Sequence, residues 1–337
     1  MGGSALKNVT TRRYAKDEFF QATCEVYNLL DYNTEWQCEV VPAYRNKESF
    51  GDLDIVVINP IGDNPVEVVR RVFSPDEVVR DGNTVSFNYN DLQVDLIFTP
   101  AWGKEFAISY FSYNDLGNFI GRTAHRLGFK FGHDGLWYVY RDPDDDAFVV
   151  RRLPVTRSFM AAMMFLGFDY SRWSTGFNTP EDIFEYAASS CYFDPAQFLL
   201  HNRASASRRR DRTRKMYNLM LDWIKKKYPA LNDTSPTTKV DRDEHLKRAM
   251  CYFPQFAEDY AGVEMELARS KKLKANFNGH NYMEWFGVEG KELGDLMSRH
   301  RGYFAEHNLL DWLGSVPLDS FKVVIQEINL LLEKTND

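Results

Sequence analysis

The chain has 337 residues, 44% of them apolar and 26% charged, with a formal charge of −7. That length suits about two domains and that composition a folded globular chain, which excludes disorder as a general state. The longest strongly apolar run, from Met160 to Phe168, is far shorter than the ~20 residues a membrane-crossing helix needs.

In chain order, the opening MGGSALK lacks the apolar stretch of a signal peptide and has Leu6 where a myristoylation signal requires Ser or Thr. A cytoplasmic protein with no membrane partner is expected. Helical spacing of Phe19, Phe20, Thr23, Tyr27 and Leu30 predicts a helix over 17–30. Strands are expected at 39–44 and 54–58, then a polar stretch. Two further strands, 84–89 and 92–98, flank Asn90-Asp91, a connection short enough to close a hairpin. Residues 106–111 read as another strand. A helix capped by Asn114 or Asp115 runs to Leu127 and stops at Gly128. Gly117 and Gly121 weaken it by about 1 kcal/mol each relative to alanine, which implies a close approach to its backbone. A hairpin over 129–141 follows, then the acidic DPDDD at 142–146, read as a solvated loop. From Pro154 the pattern turns helical, with helices expected at 158–166, 180–190, 208–227, 241–250, 258–273, 291–299 and 319–332. This change of pattern puts the domain boundary near 150: a mixed catalytic domain over 1–150 and an all-helical, nucleic-acid-binding one over 151–337.

Cys24, Cys38, Cys191 and Cys251 form no C-x-x-C pair, so neither a disulfide framework nor a zinc site is expected. The chemistry lies instead in KESFGDLDIVVINP, residues 47–60. Asp52 and Asp54 are two apart, so in a strand both project to one face at the mouth of an apolar run. Unpaired negative charge is costly there. Asp95, in LQVDLIF, lies inside a second apolar strand. Solvated strand ends commonly carry a lone D-x-D, whereas three strand-borne carboxylates that converge create a cost that hard divalent cations offset. Mg²⁺ takes oxygen ligands from carboxylates and substrate phosphates, and two ions about 4 Å apart serve in-line displacement at phosphorus. The spacing thus points to phosphoryl or nucleotidyl transfer.

YRNKESFGDLDIVV followed by VDLIFTP resembles the polymerase β-like nucleotidyltransferase superfamily, and specifically the palm of family X DNA polymerases. The resemblance covers about residues 41–140. It implies a palm, a mixed sheet with flanking helices, within an α+β chain. It also implies an enzyme in which Asp52, Asp54 and Asp95 bind two Mg²⁺ ions, with Mn²⁺ as the alternative. Asp52 and Asp54 would hold both metals and the nucleotide phosphates, while Asp95 would hold the catalytic metal and help deprotonate a 3′-hydroxyl. By the same resemblance Arg45, Ser49 and Gly51 face the nucleoside triphosphate, Tyr110 and Phe111 abut its sugar, and Asn118 and Arg122 face base or template. The family's Gly-Ser at the start of the motif is Val41-Pro42 here, and proline has no N–H for a phosphate. Residues 277–301, FNGHNYMEWFGVEGKELGDLMSRHR, look like a helical segment of tRNA nucleotidyltransferases and poly(A) polymerases, although their G-G-x-x-R-D signature is absent. A tight helix junction with Leu293, Leu296 and Met297 in the core accounts for the same pattern.

Between His201 and Lys227 the local charge is +8, leaving −15 elsewhere. A phosphate backbone attracts such a stretch because neutralised phosphates release counterions. Arg208, Arg209, Arg210, Arg212, Arg214 and Lys215 are the candidate contacts, on a helix whose other side carries Met216, Leu219, Met220 and Trp223; a solvated amphipathic helix is the simpler reading. Together these features predict a nucleotidyltransferase extending an RNA 3′ end, in the manner of tRNA-type enzymes, without a template. A family X-like DNA polymerase and a nucleic-acid-binding protein on an inactive palm are the alternatives. Nothing in the sequence fixes the oligomeric state.

Overall fold

The alternation in DLDIVVI gives Asp52–Ile58 two unlike faces, Leu53, Ile55 and Val57 on one and Asp52, Asp54, Val56 and Ile58 on the other. Both faces are covered, and this decides where the carboxylates lie. In the computed structural model, which describes residues 5–58, 62 and 64–334, the chain divides into two units, Met1–Phe256 and Ala257–Asp337.

The first unit begins with β1 (Tyr14–Ala15), α1 (Lys16–Asn33), β2 (Gln37–Val40), β3 (Ser49–Phe50), β4 (Asp52–Ile58) and α2 (Pro65–Phe73). It continues with β5 (Val78–Asp81), β6 (Thr84–Tyr89), β7 (Leu92–Thr99), α3 (Lys104–Phe111) and α4 (Leu116–Arg126). Then come β8 (Phe129–Gly132), β9 (Gly135–Asp142) and β10 (Asp145–Thr156). Helices α5 (Phe159–Phe165), α6 (Tyr170–Ser174), α7 (Pro180–Ala187), α8 (Ser205–Arg212), α9 (Lys215–Lys227) and α10 (Arg242–Tyr252) complete it. The chain is therefore α+β, with a mixed sheet ordered β2-β4-β7-β6-β5 in which β4 and β7 are parallel and the other neighbours antiparallel. Leu53, Ile55, Val57, Val94 and Leu96 pack against Val26 and Leu30 of α1 and Val68 and Val69 of α2. Val56 and Ile58 meet Ala107 of α3 on the opposite face, with Ile108 and Phe111 beside them. The carboxylates thus lie on the face covered by α3, at the end of β4 where its apolar residues begin.

Several expectations need correction. Residues 106–111 are the helix α3, not a strand; a six-residue apolar run carries no periodicity that separates the two. The polar stretch after β4 contains α2, started by the Asn64 side chain accepting from the Val66 N–H at 3.1 Å and by Pro65 in the first turn. The acidic loop is the turn between β9 and β10, and β10 itself, missed from sequence, carries the chain through residue 150. The two units separate after Phe256 instead. The helix expected over 208–227 is broken at Thr213-Arg214 into α8 and α9, and Leu219 is exposed rather than packed. Asp115 precedes α4, yet its carboxylate makes no cap hydrogen bond. Gly117 does mark a close approach: a Cβ there would lie 2.2 Å from the Tyr110 carbonyl oxygen. At Gly121 the nearest atom would be 3.8 Å away, so that glycine is not required.

The helix α11 (Pro254–Asn276) leads into the second unit, which holds α12 (Gly279–Phe286), α13 (Gly290–Glu306), α14 (Leu310–Leu313) and α15 (Leu318–Lys334). Its core is Tyr282, Leu296, Phe304, Leu313, Phe321, Ile325 and Ile328, with Leu293 and Met297 packed against it. Gly287 ends α12 at φ 67°, a left-handed conformation that favours glycine. The helix-junction reading of residues 277–301 is accounted for by this packing. Among the described residues, no helix is long and apolar enough to cross a membrane.

Candidate metal centre and the residues around it

Parallel pairing of β4 with β7 sets Asp54 directly beside Asp95 and Asp52 beside Gln93. Because side chains two apart share a face, the pleat turns those two pairs into one polar patch. Ligand oxygens of Asp52, Asp54 and Asp95 lie within 4.8 Å of one another, and all three residues are half-buried. Burial, followed by repulsion from Asp52 and Asp95, pushes the Asp54 carboxyl up to about 8. Burial raises that of Asp95 as well, against the pull of hydrogen bonds from Ser86 and Gln93. Three hard oxygen donors held this close repel one another, and a divalent cation such as Mg²⁺ relieves that repulsion by displacing a proton that the cluster would otherwise bind.

The structure adds three residues that sequence reasoning missed. The Gln93 amide nitrogen donates to both Asp95 carboxylate oxygens at 2.9 Å, while its carbonyl oxygen accepts from the Ala5 N–H at 3.1 Å. Ser86, opposite Asp95 in the antiparallel β6/β7 register, donates its hydroxyl to the same carboxylate. Lys47 is half-buried, its ammonium 4.6 Å from the Phe50 ring centroid; burial lowers its pKa, and the charges of Asp52 and Asp54 oppose that shift. Gln93 was accessible to the same two-residue rule that linked Asp52 to Asp54. Replacing Gln93 with alanine should weaken divalent-ion binding about 10–100-fold, the usual effect of removing a group that orients a ligand. Titration calorimetry with Mn²⁺ checks this, and unchanged affinity would show that Asp95 is oriented without it.

The other expected site residues are distributed unevenly. The Val41 N–H donates to the Asp54 carbonyl at 3.0 Å and the Tyr113 N–H to the Pro42 carbonyl at 2.8 Å, so Val41-Pro42 offers a phosphate no backbone donor. The Arg45 guanidinium donates to the Asn178 side chain at 2.9 Å and to the Thr175 carbonyl. Ser49 Oγ accepts from Arg13 at 2.8 Å, and Gly51 is buried at the entry to β4. Phe111, at the end of α3, packs beside Val56 and Ile58, next to the His133 ring. Asn118 donates to Asp115 at 3.2 Å. Arg122 donates to Asp211 at 2.9 Å.

The basic segment is partly turned inward. Asp211 is fully buried and pairs with Arg122, with Arg203 at 3.2 Å and with Arg210 at 3.5 Å. Arg214 pairs with Asp115 at 3.1 Å, and Arg208 donates to the His201 and Arg203 carbonyls. Arg209, Arg212 and Lys215 remain exposed. Tyr110, Asn118, Arg122 and Arg210 line one cleft of about 620 Å³ in the first unit.

No protein-family model matches this chain, and no curated protein matches it significantly.

Proposed function

We propose that this chain is a metal-dependent nucleotidyltransferase on a polymerase β-like palm, moving a nucleotide from a nucleoside triphosphate to a nucleic-acid 3′-hydroxyl. The observation that carries the reading is the Asp54/Asp95 register across β4 and β7, with Asp52 two residues away on the same face. Mg²⁺, when bound, supplies Lewis-acid charge to the phosphate oxygens and lowers the pKa of the attacking hydroxyl. Asp52, Asp54 and Asp95 would hold it. In the reaction the 3′-oxygen forms a bond to the α-phosphorus, the bond to the β-phosphate bridge breaks, and pyrophosphate leaves. Asp95 stands as acceptor for the hydroxyl proton, with Gln93 and Ser86 fixing its orientation. Lys47, close enough to Asp52 and Asp54 to feel their charge, is the cation best placed to meet a phosphate, since Arg45 is engaged elsewhere.

Template-independent RNA extension is the first reading. It is favoured by the burial of Arg122 against Asp211, which draws a template-facing candidate away from a base. A family X-like DNA polymerase is the second, favoured by Tyr110, Asn118 and Arg122 sharing one cleft wall. Retention of all three carboxylates weighs against an inactive palm. Incubation with each α-labelled triphosphate and Mg²⁺ tests the reading, offering a mixed RNA pool in parallel with gapped DNA. Labelled RNA without a template supports the first reading. Label confined to gapped DNA, dictated by the templating base, replaces it with the second. Absence of transfer to either acceptor overturns the proposal.

A further inference from the structure

The cleft of about 620 Å³ beside α4 has a charge pattern that the metal centre does not account for. It is walled by α4 and β8 on one side and by residues 197–210 and 237–242 on the other. Among the described residues, no Asp or Glu lines it. Arg126, Lys130, Lys239 and Arg242 do, together with the Arg122, Arg203 and Arg210 cluster. Three carboxylates lie behind this wall: Asp211, fully buried; Asp194, 5% exposed and 3.7 Å from Arg126; and Asp115, which accepts from Asn118 and pairs with Arg214. Seven lining cations, with Arg214 behind them, against three buried anions leave a net positive cavity in an acidic protein, and a concave low-dielectric wall focuses that field.

The cations are also built in rather than merely exposed. Arg126 donates to the Tyr192 carbonyl at 3.0 Å and to Thr238, whose N–H and hydroxyl both donate to Asp194. Arg242 donates to the His125 and Arg126 carbonyls at the end of α4, its methylenes 3.4 Å from where a Cβ on Gly128 would stand. Arg122 is 9% exposed, and its Nε–H has no hydrogen-bond partner. The ammonium groups of Lys130 and Lys239, both exposed, make no ion pair or hydrogen bond among the described residues. Fixed guanidiniums in the wall and free ammoniums at the rim suit a ligand presenting several phosphates in succession.

We infer that this cleft seats the sugar-phosphate backbone of a single-stranded nucleic acid, with Lys130, Lys239, Arg126 and Arg242 as its contacts. The volume lies within the range of small-ligand pockets, about 300–1,000 Å³, a size that suits a few nucleotides of a single strand. These contacts come from separate segments of the chain and are not those of the exposed ridge Arg209, Arg212 and Lys215. Only the strand's role as acceptor or template rests on the nucleotidyltransferase reading. Binding itself needs neither metal nor triphosphate, so the test is run in EDTA, where failure of catalysis has no bearing on it.

Fluorescence anisotropy of labelled 12-mers of U and of dT is measured against salt for the full chain. Each phosphate neutralised on a single strand contributes about 0.7 to the slope of log K against log salt, so Lys130→Ala with Lys239→Ala should flatten the slope by about 1.4. Affinity at 0.1 M salt should fall about 10–30-fold, the same slope change carried from 1 M. Both lysines lack internal partners, and unchanged thermal unfolding confirms that the variant is folded. A triple Arg209→Ala, Arg212→Ala, Lys215→Ala variant should lose less. Three results each overturn the inference: a greater loss in the ridge variant, tighter binding of a duplex than of either strand, or binding of inorganic tripolyphosphate as tight as that of the 12-mers.

Discussion

Replacing Asp54 with asparagine should abolish the proposed nucleotidyl transfer, by ~10³-fold or more, while making the metal-free protein more stable. Opposite signs for activity and stability are expected because Asp54 is held against its own preference. It is half-buried beside two other carboxylates, and its folded-state pKa is raised to about 8 from an unfolded value near 3.9. Between those values the folded state binds the proton more tightly than the unfolded chain. Stability that depends on the proton is fully present below about pH 4 and is lost as pH rises through about 8. The asparagine variant has no such proton to lose. Its advantage in unfolding temperature should therefore be largest above pH 8 and close as pH falls toward 4, with each 1 kcal/mol of relief worth about 2–4 °C. Adding MgCl₂ should narrow the gap above pH 8, since an ion at 100 times its dissociation constant stabilises the wild type by about 2.7 kcal/mol and leaves the variant nearly unchanged. Differential scanning fluorimetry across pH, with and without Mg²⁺, reads both effects. A variant less stable than the wild type at pH 8 without metal would mean that the three carboxylates do not repel one another, and the metal centre would lose its physical basis.

What the sequence disclosed and what it withheld follow from the range over which each interaction acts. Asp52, Asp54 and Asp95 were legible because period-two alternation reports a strand face directly, and the β4/β7 pairing only had to bring two such faces side by side. Gln93 obeys the same rule and was passed over because an amide carries no charge to draw notice. The strand β10 was hidden by Pro154, which reads as a breaker; the residue is tolerated because β10 lies at the edge of its three-stranded sheet. The basic segment misled for a different reason. Composition reports how much charge a helix carries but not where each group goes, and Asp211 draws partners from 89 residues upstream as well as from eight. Of the six predicted contacts, Arg210 pairs with Asp211, Arg214 with Asp115, and Arg208 donates to backbone carbonyls, so three are committed within the fold. The cleft cations come from residues 126, 130, 239 and 242, a grouping that only the folded chain creates.

That inward turn makes Asp211 the most consequential structural charge among the described residues. Asp211→Ala should destabilise the first unit by about 3–5 kcal/mol, because removal of one member leaves the Arg122 and Arg203 guanidiniums, 10% and 11% exposed, without their shared counter-ion. The unfolding temperature should fall by about 10 °C or more. Asp211→Asn separates charge from hydrogen bonding: it keeps an acceptor oxygen for both arginines, so the part of the loss it restores is geometric. Replacing the buried triad, Asp211→Leu with Arg122→Met and Arg203→Met, should recover much of the stability lost in Asp211→Ala, since a buried ionic triad and apolar side chains of similar volume are often nearly equivalent. If the triple replacement is as unstable as the sum of the single ones, Arg122 and Asp211 do not act as a unit. In that case the guanidinium is free to face the cleft, and the templated reading gains what the template-independent one loses.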